Sequence, residues 1–71
     1  MVDIVMTNEF GNFLQRERYI KGLSVRELSD ISQVSRNSIV GYEEGSHEPS
    51  LANATALLRA LGYKLCIVEG T

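Results

Sequence analysis

A small, mainly α protein of four short helices followed by a C-terminal β-strand is what the 71-residue sequence predicts. Three observations carry that prediction. Serines stand immediately before three apolar-periodic runs, glycines stand immediately after three of the four runs, and beyond Gly62 the apolar period changes from helical to alternating.

The first helix is expected over about 8–21, with Phe10, Phe13 and Leu14 on one face and Gly22 as its stop. The second, over about 25–32, opens on a capping box, Ser24-Val25-Arg26-Glu27, in which the serine and the glutamate each satisfy a free backbone N–H. Leu28 and Ile31 form its apolar face, with Leu23 just ahead of it. Ser35 caps the third, over about 36–44, whose apolar positions are Ile39 and Tyr42 and whose stop is Gly45. Ser50, after Pro49, starts the fourth, over about 51–61, where Leu51, Ala54, Leu58 and Leu61 share a stripe ahead of Gly62. Stripes at i, i+3, i+4 face a core, so these positions need no cofactor to explain them. Tyr63, Leu65 and Ile67 then alternate with Lys64, Cys66 and Val68, which reads as a strand. The organisation is thus an N-terminal arm or short strand over 1–7, a helical domain over 8–62, and a dimerisation strand and tail over 63–71.

A chain of 71 residues buries only about 60% of its unfolded surface and gains from oligomerisation. Cys66 is the single cysteine, so no disulfide forms within the chain, which fits a reducing cytoplasm. It reads as a small apolar strand residue. No apolar run approaches the roughly 20 residues of a membrane span, and no signal peptide is recognisable, so a cytoplasmic protein without membrane contact is expected. One histidine, His47, in a loop and one cysteine in a strand supply neither a metal site nor the convergent nucleophile, base and oxyanion groups of an enzyme. Neither a cofactor nor catalysis is expected.

The net charge of −2 argues for modest affinity toward nucleic acid, because binders usually present a basic surface. Yet Arg26 and Arg36 flank the turn between the second and third helices, where a local positive face would matter.

KGLS at 21–24, REL at 26–28, VSRNSI at 34–39, a glutamate then Gly45, EPSL at 48–51 and LLRALGYKL at 57–65 occur in order and at fixed spacing. With these marks the chain resembles the lambda-repressor-like helix-turn-helix family, the Cro/repressor or XRE-type domain, from roughly Phe10 to Tyr63. The resemblance implies a compact four-helix domain whose third helix enters the DNA major groove, as such helices do. Arg36 and Asn37 would then meet base edges: arginine can bond guanine O6 and N7, and asparagine adenine N6 and N7. Val40 and Gly41 are placed on the outward side of that helix, Val40 against a thymine methyl. Gly41 costs about 1 kcal/mol against alanine in a helix interior, and either close approach to DNA or simple tolerance explains it. Arg26, Ser38, Ser46 and His47 are the phosphate candidates. The resemblance also implies an ion pair between Arg18, late in the first helix, and Glu43, late in the third.

The sequence departs from the family at Val25, where a phosphate-binding glutamine is usual, at Gln33, where the turn usually has glycine, and in the loop Glu44-Gly45-Ser46-His47, which lacks the usual basic residues. The lost phosphate contacts at position 25 and in the loop weaken the electrostatic part of DNA affinity. A lone apolar strand requires a partner, either the same strand of a second subunit or the strand-like run Val2 to Met6. LGYKLCIVEG is similar to the terminal strand, after the fourth helix, through which some HipB-like antitoxins of this family dimerise. Tyr63, Leu65, Cys66, Ile67 and Val68 are the expected dimer contacts.

The leading reading is a homodimeric repressor of a double-stranded DNA operator, as an autoregulating antitoxin with a toxin partner or as a small autoregulator. The other is a protein-interaction module on the same scaffold with little DNA binding.

Overall fold

The computed structural model describes residues 8–64 together with Cys66 and Glu69. Four helices follow one another: α1 (Asn8–Ile20), α2 (Val25–Ser32), α3 (Arg36–Glu44) and α4 (Leu51–Ala60). Each lies within a residue or so of the range its caps predict. The capping box is complete: Ser24 Oγ accepts from the Glu27 N–H at 3.0 Å, and Glu27 accepts from the Ser24 N–H at 2.9 Å. Ser35 and Ser50 accept from the N–H groups of Ser38 and Asn53, both at 3.1 Å.

α1, α3 and α4 end alike. The N–H groups of Leu23, Ser46 and Tyr63 reach back to the carbonyls of Arg18, Gly41 and Leu58, and Gly22, Gly45 and Gly62 all take the left-handed backbone that this closure needs. α2 has no glycine, and Gln33 takes the left-handed conformation instead, at φ 63°. A side chain there costs about 1 kcal/mol or more. Side chains offset it: Ser32 Oγ accepts from the Val34 N–H at 3.2 Å, Ser29 Oγ donates to the Val34 carbonyl at 2.6 Å, and Gln33 Nε2 donates to the Asp30 carbonyl at 2.7 Å. The turn that sets α3 against α2 is fastened by its own polar residues.

α1 packs on α3, and α2 packs on both α3 and α4. The core they enclose comprises Phe10, Leu14, Leu28, Val34, Ile39, Tyr42, Ala54, Leu57, Leu58 and Leu61. Phe13 and Leu23 pack against it partly buried, and two expected core residues lie outside it altogether. Ile31 is 56% exposed and Leu51 64% exposed; each sits in the terminal turn of its helix, where the apolar stripe runs past the neighbouring helix. Leu57 and Val34 are buried in their place. Tyr42 is buried with its hydroxyl satisfied by Asn53 Nδ2 at 2.8 Å.

The first-to-third helix contact depends on Gly11. A Cβ at this position would lie 2.0 Å from the Tyr42 carbonyl oxygen, so the two backbones approach more closely than any side chain permits.

The C-terminal strand expected over 63–68 is not seen where the structure describes this segment. Tyr63 instead completes the end of α4 and folds back on α1: its ring lies 5.7 Å from that of Phe13, and its hydroxyl donates to Glu17. Lys64 is likewise outside any strand, and Cys66, read as a strand residue inclined to burial, is exposed in the single chain. Leu65, Ile67 and Val68, and the N-terminal run over 1–7, lie outside the described residues.

The buried Glu17 carboxylate accepts from Tyr63 and from Lys21 Nζ at 3.1 Å. The Tyr63 hydroxyl first, and Lys21 second, hold this carboxyl below the ordinary glutamate range. A carboxyl depressed in the folded state stabilises fully above its unfolded pKa, and that contribution disappears as pH falls through the folded value. Glu17→Gln removes this dependence. Urea midpoints of the wild type and of Glu17→Gln should therefore approach each other as pH is lowered from about 7 to about 3. A difference constant over that range would remove the ionised Glu17 from the account.

Candidate nucleic-acid interface

Ser35 builds the start of α3. Besides accepting from the Ser38 N–H, its hydroxyl donates to Ser38 Oγ at 2.8 Å. With the first turn so fixed, Arg36 and Asn37 project from it, both exposed, and with Ser35 they line an open concavity at the helix N-terminus. The first N–H groups of a helix have no intrahelical partner, and the aligned peptide dipoles make this end electropositive. Val40, 39% exposed, lies one turn along from Arg36 on the same face. Arg26 is exposed on the first turn of α2, across the turn from α3.

Behind this face, α3 is anchored to the rest of the domain by one guanidinium. Arg18 donates from Nε and Nη2 to the two oxygens of Glu43, both at 2.8 Å, and from Nη1 to the Leu23 carbonyl at 3.0 Å. The side chains of Arg18 and Glu43 are only 8% and 5% exposed. The Glu43 carboxylate, by hydrogen bonding, drives the Arg18 pKa further upward, so the guanidinium stays ionised. With Glu43 neutralised by Arg18 and Glu17 held by Tyr63 and Lys21, two of the nine acidic residues are tied up away from the Arg36 face. Each of these pairs also uses up one basic residue, Arg18 or Lys21, so the overall charge of −2 is carried by the remaining groups.

Two residues placed at this surface by sequence are differently disposed. Gly41 is buried: its helix position follows Asn37 by one turn, but the ring of His47 covers it, so the glycine presents no surface of its own. Ser46 donates its hydroxyl to the Gly41 carbonyl at 3.3 Å and serves the helix end, which takes its proton away from a phosphate. Ser38 is half-buried and accepts from Ser35, which leaves its own proton to donate. His47 is exposed in the loop after α3. Among the described residues no cluster of His, Cys, Asp or Glu could hold a metal ion, and no helix is long and apolar enough to cross a membrane.

The arrangement is two short helices joined by a fastened turn, the second presenting a capped, polar first turn. That is the geometry of a helix-turn-helix, and the helix-turn-helix family model matches residues 14–68. The chain belongs to this family, in its XRE-type branch of DNA-binding transcriptional regulators. Its fold is similar to that of the restriction-modification controller protein C.AhdI from Aeromonas hydrophila, with TM-score 0.74 and 36% identity over 78% of this chain and 83% of that one. It is also similar to the clp gene regulator ClgR from Corynebacterium glutamicum, with TM-score 0.77 and 30% identity over 84% of this chain and 64% of that one. No curated protein sequence matches the chain.

Sequence reasoning missed three residues on which the interface depends. Ser29 and Ser32 fasten the turn, and Gly11 brings α1 against α3. Of these only Gly11 carried a signal, since a glycine inside a helical pattern points to close packing.

Proposed function

We propose that the chain represses transcription by occupying an inverted-repeat operator as a homodimer, with α3 of each subunit in the major groove. The observation that carries this reading is the exposed Arg36–Asn37 pair on the first turn of a helix that Ser35 caps and Arg18 anchors. Arg36, Asn37 and Val40 read base edges, while Arg26 and Ser38 hold phosphates. The small size of the domain supports self-association, through the segment that follows Tyr63. Likeness to a restriction-modification controller and to a clp gene regulator supports gene control as the role. The antitoxin reading, with a toxin as second partner, rests on the terminal segment alone, and most of that segment lies outside the described residues.

The test is selection of duplexes from a random pool by the purified full chain, followed by titration of the winners. A dimer selects an inverted repeat with half-sites about one helical turn apart; a monomer selects a single half-site. Arg36→Ala should cost about 1–3 kcal/mol on the selected duplex and relax preference at one base position. Arg26→Ala should weaken binding evenly across sequences and lower the salt slope by about one. If the chain enriches no duplex even at low salt, the scaffold serves as a protein-interaction module instead, the reading that Val25 and the acidic balance favour.

A further inference from the structure

Gly41 is a helix-interior glycine without the usual reasons for one. Among the described glycines only Gly22, Gly45 and Gly62 have positive φ, so no backbone requirement calls for Gly41, and in a helix interior glycine costs about 1 kcal/mol against alanine. What it provides is room. A Cβ at position 41 would lie 2.3 Å from Cδ2 of His47, 3.2 Å from Cγ and 3.4 Å from Nε2. The edge of the imidazole therefore occupies the volume in which a side chain of residue 41 would begin.

The ring is held there by the backbone beneath it. The Ser46 N–H, at 3.0 Å, the His47 N–H, at 3.3 Å, and the Ser46 hydroxyl, at 3.3 Å, all converge on the carbonyl of Gly41. The loop is thus hooked onto the same residue whose missing side chain it replaces. Position 41 follows Asn37 by four residues, so the two share one strip of the helix surface. His47 itself remains exposed.

We propose that His47, seated on Gly41, is a base-reading side chain of the recognition helix, acting where residue 41 would and meeting the base pair next to that met by Asn37. This deepens the DNA-binding reading above and rests on it. An imidazole carries an N–H donor, and in the major groove a purine offers N7 as acceptor, with O6 beside it in guanine. Thymine O4 is the other acceptor in that groove, but only purine N7 is common to two bases, and the base assigned to His47 is a purine. Gly41 is the positioning residue, because it holds the ring on the base-facing strip.

The test uses the duplex that the wild-type full chain selects from a random pool, together with its single-base variants. His47→Ala should lose about tenfold in affinity, with the loss confined to one purine position. Gly41→Ala should show the same loss and the same altered base profile, because its methyl displaces the ring. It should nevertheless melt at or above the wild-type temperature, because the displaced group is an exposed side chain and alanine favours the helix. The double variant should bind no worse than either single one, as expected when both remove the same contact. An unchanged base profile for His47→Ala, or a loss spread evenly over all positions, overturns the assignment; so does a double variant in which the two losses add. Arg36→Ala separates the two levels of the argument. If it loses affinity while His47→Ala does not, only the role of His47 falls. If the wild type selects no duplex, the DNA-binding reading falls and this one with it.

Discussion

Gly11→Ala will remove much of the stability of the domain. The added methyl would stand 2.0 Å from the Tyr42 carbonyl oxygen, 3.0 Å from the Tyr42 carbonyl carbon and 3.3 Å from the Glu43 Cα. All three atoms are backbone of α3, so no side chain can swing aside and the two helices must part. Parting them loosens Phe10 and Leu14 from Ile39 and Tyr42 and pulls on the Arg18–Glu43 pair. Overpacking of this kind costs roughly 1–3 kcal/mol and sometimes more; with a backbone as the obstacle the upper end applies. The gain of about 1 kcal/mol in helix propensity offsets only part of it. The comparison that isolates the cause is Gly41→Ala, the same chemical change at a glycine whose obstacle is a loop side chain. Urea denaturation should show a loss of about 2 kcal/mol or more for the first and little or none for the second. Equal midpoints for both would mean that α1 and α3 are not in the close contact described.

Glu43→Ala is the second large effect. It leaves the Arg18 guanidinium, itself nearly inaccessible, with the Leu23 carbonyl and the face of the Tyr19 ring as partners and no counter-charge. Breaking a buried pair from one side costs about 3–5 kcal/mol because the remaining charge stays desolvated. Replacing both partners by leucine should restore much of that, since paired charges in the interior recover in attraction only part of what their dehydration costs. Urea midpoints for Glu43→Ala, Arg18→Leu and the double leucine variant provide the comparison. A loss under about 0.5 kcal/mol for Glu43→Ala would place the pair in effective contact with water.

Much of this architecture was legible because helix ends carry local chemistry. Ser24, Ser35 and Ser50 announce helix starts through hydrogen bonds within three residues, and Gly22, Gly45 and Gly62 announce ends through a backbone conformation that they adopt readily. What proved less legible depends on partners distant in sequence. Ile31 and Leu51 belong to the right periodic pattern, yet they face solvent because the stripe outruns the neighbouring helix. Tyr63 alternates correctly for a strand, but Phe13 and Glu17, far away along the chain, claim its ring and hydroxyl. Gln33 departs from the expected glycine, and the compensation by Ser29, Ser32 and its own amide is visible only once the turn is built. At the interface, the exposed placement of Arg36 and Asn37 follows from the cap. That Gly41 would be roofed by His47 does not follow from either residue alone, since it takes the loop closure at Gly45 to bring the ring back over the helix.

The three-way grip of Arg18 has a further consequence. One side chain ties the end of α1, the Leu23 carbonyl in the turn before α2 and the last turn of α3 together. With α3 in the major groove, as proposed, this bracing would oppose its tilting to suit an imperfect groove, and more of the mutual fitting would pass to the nucleic acid. Sequences whose duplex already has the required groove width and curvature, or deforms to them cheaply, are favoured even at base pairs the protein never touches. For a domain with few positive charges this is a frugal source of selectivity: rigidity on one side makes the mechanical character of the DNA part of the message.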